Sequence, residues 1–135
     1  MIDLLRKQGR RWRKSRKTSA LNHFLRTVYG LHATWYRNDL AKCATDRIAE
    51  LVGLSDNPAR HAFRTLIEAG LTVDRRVASR WTRALRFAWI ERKRFKSLEH
   101  CLRRSGGLAG AANEWATLQA ALRASPYVIS DMLDR

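Results

Sequence analysis

Cysteine and proline are scarce in this chain, with two of each among 135 residues. Cys43 and Cys101 stand 58 positions apart and form no CxxC pair. That pattern points to neither a disulfide framework nor thiol metal ligands, and it suits a reducing compartment where both are buried thiols. Long apolar runs are missing as well, so no stretch reaches the roughly 18 apolar residues of a membrane-crossing helix. The N-terminal segment carries charge but lacks the apolar core of a secretory signal. A cytoplasmic location is the expectation.

Catalytic groupings are also absent. Carboxylates are scattered, and "GGLAG" at residues 106–110 has neither the lysine nor the preceding strand of a phosphate-binding loop. His23 and His32 have no second ligand at i+4, and His100 beside Cys101 lacks a third and fourth. No metal, no cofactor and no enzymatic activity are therefore expected.

What the chain has in excess is positive charge. Lys and Arg number 27 against 12 Asp and Glu, for a net charge of +15 and a pI near 11.3. Such a surface attracts polyanions and repels itself when no partner is present. Nucleic acid is the expected partner. A membrane surface comes second and is set aside for want of a large exposed apolar face. The 45% hydrophobic content and five tryptophans argue for a packed core, and the length suits about one domain.

The charge is unevenly placed. Residues 1–17 carry eight Lys/Arg against Asp3, and residues 73–104 carry eleven against three acids. Residues 18–72 net only +1 and residues 105–135 net −1. A near-neutral body with two basic blocks results. The first block, "RKQGRRWRKSRK" from Arg6 to Lys17, has one aromatic and no helical apolar period. It reads as an extended basic arm at 1–17, with Arg10, Arg11, Arg13, Lys14, Arg16 and Lys17 tracking phosphates or entering a minor groove. A solvated tail is the plainer alternative.

From Thr18 a helical period begins, with Leu21, Phe24, Leu25, Val28, Leu31 and Trp35 on one face and Ser19 as a candidate cap. This helix should end near "YRND". Next comes "RIAELVGLSDNPARHAFRTLIEAGL", residues 47–71. Thr45 or Asp46 can cap a helix over 47–52, and Gly53 can close it in the left-handed conformation. Asn57 and Pro58 can start a second helix, proline losing little at the first helical position. Its apolar face is Ala59, Ala62, Phe63, Leu66 and Ile67, while Asn57, Arg60, His61 and Arg64 share the opposite face. Arginine pairs with guanine and asparagine with adenine in the major groove, so such a stripe suits base readout. An ordinary helical hairpin with a solvated polar face is the alternative.

This segment resembles the helix-turn-helix of GntR-type and related winged-helix regulators. The matching positions are Ile48, Ala49, Val52, Gly53, Leu54, Ser55, Pro58, Ala59, Arg60, Ala62, Phe63, Leu66, Gly70 and Leu71, within 25 of the 135 residues. The resemblance implies a helix-turn-helix at 46–70 in which Ser55, Asn57, Arg60, His61 and Arg64 face DNA.

After Gly70 the second basic block supports two readings. As a helix, Val77, Trp81, Leu85, Ala88, Phe95, Leu98 and Leu102 make one stripe. As strands, "VDRRVASRW" would be a wing with Leu85, Phe87 and Trp89 on its return. The lack of Gly or Pro from 71 to 105 favours the helix. Either way Arg75, Arg76, Arg80, Arg83, Arg92, Lys93, Arg94 and Lys96 offer a dense surface for phosphates, which adds affinity without sequence information. Trp81 and Trp89 are expected in the core before base stacking. Gly106-Gly107 then breaks the chain, and Ala111, Ala112, Trp115, Leu118, Ala121 and Leu122 form a helix ended by Ser125-Pro126. Lacking the basic excess, this piece packs on the body or on another copy, as paired half-site readers do.

The fold expected is mainly α: a basic arm at 1–17 and a single helical domain at 18–135 with a helix-turn-helix, winged in one variant. Double-stranded DNA binding is the expected function, as a transcriptional regulator or a replication or partition factor, nucleoid-associated. The runner-up is a non-catalytic basic subunit of a nucleoprotein assembly holding RNA or single strands.

Overall fold

The computed structural model describes residues 1–54 and 61–124. These residues form α1 (Ile2–Ser15), α2 (Thr18–Arg37), α3 (Ala41–Val52), α4 (Ala62–Gly70), α5 (Arg75–Ile90), α6 (Leu98–Ser105) and α7 (Gly107–Ala124). No strand occurs among them. The mainly helical expectation holds, and the stretch weighed as a wing is the start of α5. Where one domain was expected from residue 18 onward, the chain divides into two compact units, Met1–Ala78 and Ser79–Arg135.

In the first unit α1 departs most from the expected extended arm. Leu5, Gln8 and Gly9 are buried and Trp12 is half-buried, a stripe at i, i+3, i+4 and i+7 that lies against α2 and α4. Only its first and last members are apolar, so hydrophobic periodicity does not reveal it. Gly9 is there because space is short: a Cβ would fall on the Gly70 carbonyl oxygen and come within 2.8 Å of the Leu71 side chain. In turn, a Cβ on Gly70 would stand 2.9 Å from the Leu5 carbonyl oxygen and would press on the Phe24 ring. The two helices therefore meet backbone to backbone at a pair of glycines. α1 ends at Arg16, whose φ of 56° is left-handed, with its N–H donating to the Trp12 carbonyl at 2.6 Å.

α2 matches its period, with Phe24, Leu25 and Val28 fully buried, although Lys17 and not Ser19 holds the cap position. α3 starts six residues earlier than the predicted Arg47. Thr45, a candidate cap, is inside the helix, buried, with its hydroxyl donating to the Ala41 carbonyl at 2.5 Å. Gly53 closes α3 at φ 75° as its position predicts. α4 buries Phe63, Leu66 and Ile67 completely and packs on α1, α2 and α3. Each such side chain contributes about 1.5–3 kcal/mol through the apolar area removed from water. The predicted start at Asn57 and Pro58, and Ala59 on the apolar face, lie outside the described residues.

Asp74 opens α5 by accepting a hydrogen bond from the Arg76 N–H at 2.8 Å. Along it Trp81, Ala84, Leu85 and Ala88 are buried at helical spacing. The single long helix read through to Leu102 does not form. Instead the chain turns at 91–94, and Ser97 is fully extended (φ −153°, ψ 164°) with its Oγ accepting from the His100 N–H at 3.1 Å. That serine cap restarts the chain as α6. Gly106, at φ 86°, ends α6, and α7 packs against it with Trp115 only 1% exposed. Arg86 lies over the Trp115 ring at 4.5 Å. Trp81 and Trp89 are buried, as core packing expects. The predicted stop at Ser125-Pro126 lies outside the described residues.

Candidate functional site

Of the five residues expected to read bases, Ser55, Asn57 and Arg60 lie outside the described residues. The other two are occupied within the fold. His61 sits at the N-cap of α4, where its Nδ1 accepts from the Phe63 N–H at 3.0 Å. Its ring also joins an aromatic cluster, 5.0 Å from Phe63 and 5.8 Å from His32 between centroids, while Tyr29 stacks on Phe63 at 5.9 Å. Arg64 donates from Nε to Glu68 Oε1 at 2.9 Å, with side chains 27% and 19% exposed. A half-buried, well-aligned pair one helical turn apart holds the guanidinium along α4. Reaching a base would require breaking it.

The cations expected to meet phosphates are differently placed. On α1, Arg10, Arg11, Arg13 and Lys14 are exposed, as are Arg6 and Lys7 on the same helix. From Arg6 to Lys14 the rise along the axis is about 12 Å. No ion pair ties these side chains among the described residues. Arg16 and Lys17 are exposed beyond the helix end, Arg16 with its guanidinium over Trp12 at 4.6 Å. Arg75 and Arg76, at the start of α5, are exposed in the first unit.

In the second unit Arg80, Arg83, Lys93, Arg94 and Lys96 are exposed. Arg92 is committed: it lies 4.2 Å over the Trp89 ring and donates from Nη1 to the Trp89 carbonyl at 2.8 Å. The charge pattern alone did not single out Arg103 and Arg104, which end α6. Together with Arg94 they face a groove of about 380 Å³ whose other walls are Phe87, Phe95, Ser105 and Glu114. The signal available was a double arginine separated by one serine from a Gly-Gly break. Of the two cysteines expected to be buried, Cys43 on α3 is exposed, and Cys101 is buried and 3.9 Å from Ser105 Oγ. Burial pushes its thiol up, the Ser105 contact offsetting part of that, which keeps it protonated and unreactive near neutral pH.

Among the described residues no group of three or more His, Cys, Asp or Glu is placed to hold a metal ion, and no helix is long and apolar enough to cross a membrane. No protein-family model, curated protein or solved structure matches this chain.

Proposed function

We propose that this chain binds nucleic acid, double-stranded DNA in preference to other forms, through cationic faces carried on rigid helices. The observation that supports it most is α1. A helix with one edge locked into a core presents Arg6, Lys7, Arg10, Arg11, Arg13 and Lys14 to solvent with no ion pair among the described residues. A preformed helix leaves only side-chain freedom to be lost on meeting a phosphate backbone, and each contact releases condensed counterions. In this reading α3 and α4 are the two helices of a helix-turn-helix, as their resemblance to GntR-type regulators suggests. Ser55, Asn57 and Arg60 then face the major groove, and the protein acts as a transcriptional regulator or a replication or partition factor.

A second reading is favoured by the state of His61 and Arg64. If α4 is scaffold, the chain is a non-catalytic basic subunit of a nucleoprotein assembly that holds RNA or single strands by charge and shape. One experiment addresses both readings. Labelled duplex, single-stranded DNA and RNA are titrated from roughly 50 to 200 mM salt, and a randomised duplex pool is selected at the upper end. The proposal expects preference for duplex and an enriched motif. It also expects the salt slope to fall by about 2–3 when Arg10, Arg11 and Lys14 become Gln, since each phosphate contact contributes about 0.9. A flat pool with equal or better single-strand binding favours the second reading, and a slope unchanged by the triple variant removes α1 from the interface.

A further inference from the structure

The groove in the second unit differs in kind from the open cationic helix face. It is a concavity of about 380 Å³, within the range of small-ligand sites and too confined for a duplex. Three arginines line it, Arg94, Arg103 and Arg104, with Ser105 and Glu114. Phe87 and Phe95, the apolar walls, are only 6% and 8% exposed. What faces solvent is therefore mainly guanidinium, hydroxyl and carboxylate, not ring surface on which a base would stack.

The charge balance favours an anion. Against three guanidinium charges stand one carboxylate and the roughly half negative charge of the α6 C-terminus. The remainder is about one and a half positive charges in a half-enclosed space, where screening is weaker than on an open surface. Neither Arg103 nor Arg104 forms an ion pair among the described residues, and Arg94 rests over the Phe95 ring at 5.1 Å. The walls are held in place from behind. A Cβ on Gly110 would fall on the Ser105 carbonyl, so α7 sits tight against the end of α6. Phe95 is flanked by Phe87 at 6.5 Å and by the edge of His100 at 5.4 Å.

We infer that this groove binds a phosphomonoester dianion. A terminal phosphate has three unesterified oxygens, enough to accept from two planar guanidinium groups and a hydroxyl together, whereas a backbone diester has two and is flanked by sugars on both sides. The phosphate is carried either on the 5′ end of a nucleic acid or on a small phosphorylated metabolite. This goes beyond the internal-backbone binding proposed above and does not depend on it.

The test uses the full chain. Oligonucleotides of one sequence, with 5′-phosphate or 5′-hydroxyl ends, are compared by fluorescence anisotropy. Inorganic phosphate and adenosine monophosphate are titrated separately by calorimetry. The wild type, Arg103→Ala/Arg104→Ala and Glu114→Gln are all measured, with thermal unfolding as the fold control. The 5′-phosphate should bind about tenfold tighter than the hydroxyl end, the gain from one charge-assisted hydrogen bond. The double alanine variant should abolish that difference. Glu114→Gln should tighten binding by about two- to fivefold, because one repulsive charge is gone. That gain has the opposite sign from structural damage. If adenosine monophosphate binds in an Arg103/Arg104-dependent way without any end preference, the site holds and its source is a small molecule. If neither ligand distinguishes the double variant from wild type, the assignment is overturned, whatever the titrations on internal backbone show.

Discussion

α1 and α4 cross at a pair of glycines, yet their polar faces differ. α1 contains Arg6, Lys7, Arg10, Arg11, Arg13 and Lys14, and leaves all six exposed. α4 and its cap include His61 and Arg64, which are held by Phe63 and Glu68. A cation's availability to a partner is thus decided by its neighbours one turn away. The same arginine is a ready phosphate ligand where acids are lacking, and part of the scaffold where Glu68 stands at i+4. Counting charges by segment ranks the two helices correctly for exposed positive charge, but a polar stripe alone does not establish readout.

The comparison rests first on α1 being part of the core. Gly9→Val should therefore have the largest effect. Placing a side chain against the Gly70 carbonyl forces the helices apart, and a loss of about 3 kcal/mol or more is expected, seen as a lower midpoint in chemical unfolding. A change within experimental error would return residues 1–17 to the status of an arm. The engaged state of α4 comes next. His61→Ala should cost about 1 kcal/mol through the lost cap, and Arg64→Ala about 0.5 kcal/mol, given how little a partly exposed ion pair contributes. Neither should alter the sequences recovered from a duplex selection. An altered motif with Arg64→Ala would show that the pair with Glu68 opens on binding. The smallest effect is expected on the exposed face of α1: with Arg10, Arg11 and Lys14 changed to Gln, unfolding free energy should shift by less than about 0.5 kcal/mol. A larger loss would mean that those side chains hold the fold.

Several of these features were legible in the residue pattern, and the others were hidden for identifiable reasons. α2 announces itself through Phe24, Leu25 and Val28, and Gly53 marks the end of α3 because a left-handed C-cap favours glycine. The core face of α4 also follows from periodicity. α1 escaped because its buried stripe runs Leu5, Gln8, Gly9 and Trp12. There glycine serves a close approach, a tertiary fact without local signature. The early start of α3 escaped because Leu40, at its N-cap, makes no side-chain capping bond. The break at Ser97 was available, since a serine with Glu two positions on is a plausible helix start, but the apolar stripe running through it masked the signal. The groove at Arg103, Arg104 and Glu114 combines residues from two helices and becomes visible only once α6 and α7 are packed.

The glycine contact also has a consequence in time. Gly9 and Gly70 are 61 positions apart, so their contact cannot form until the ribosome has added α4. At about 5–20 residues per second that interval is roughly 3–12 s. Throughout it the first helix has only α2 to lie against, and too few apolar residues to hold a stable helical form alone. Until then only α2 opposes the solvated state that its charge pattern favours. Its packing is completed when the fourth one arrives.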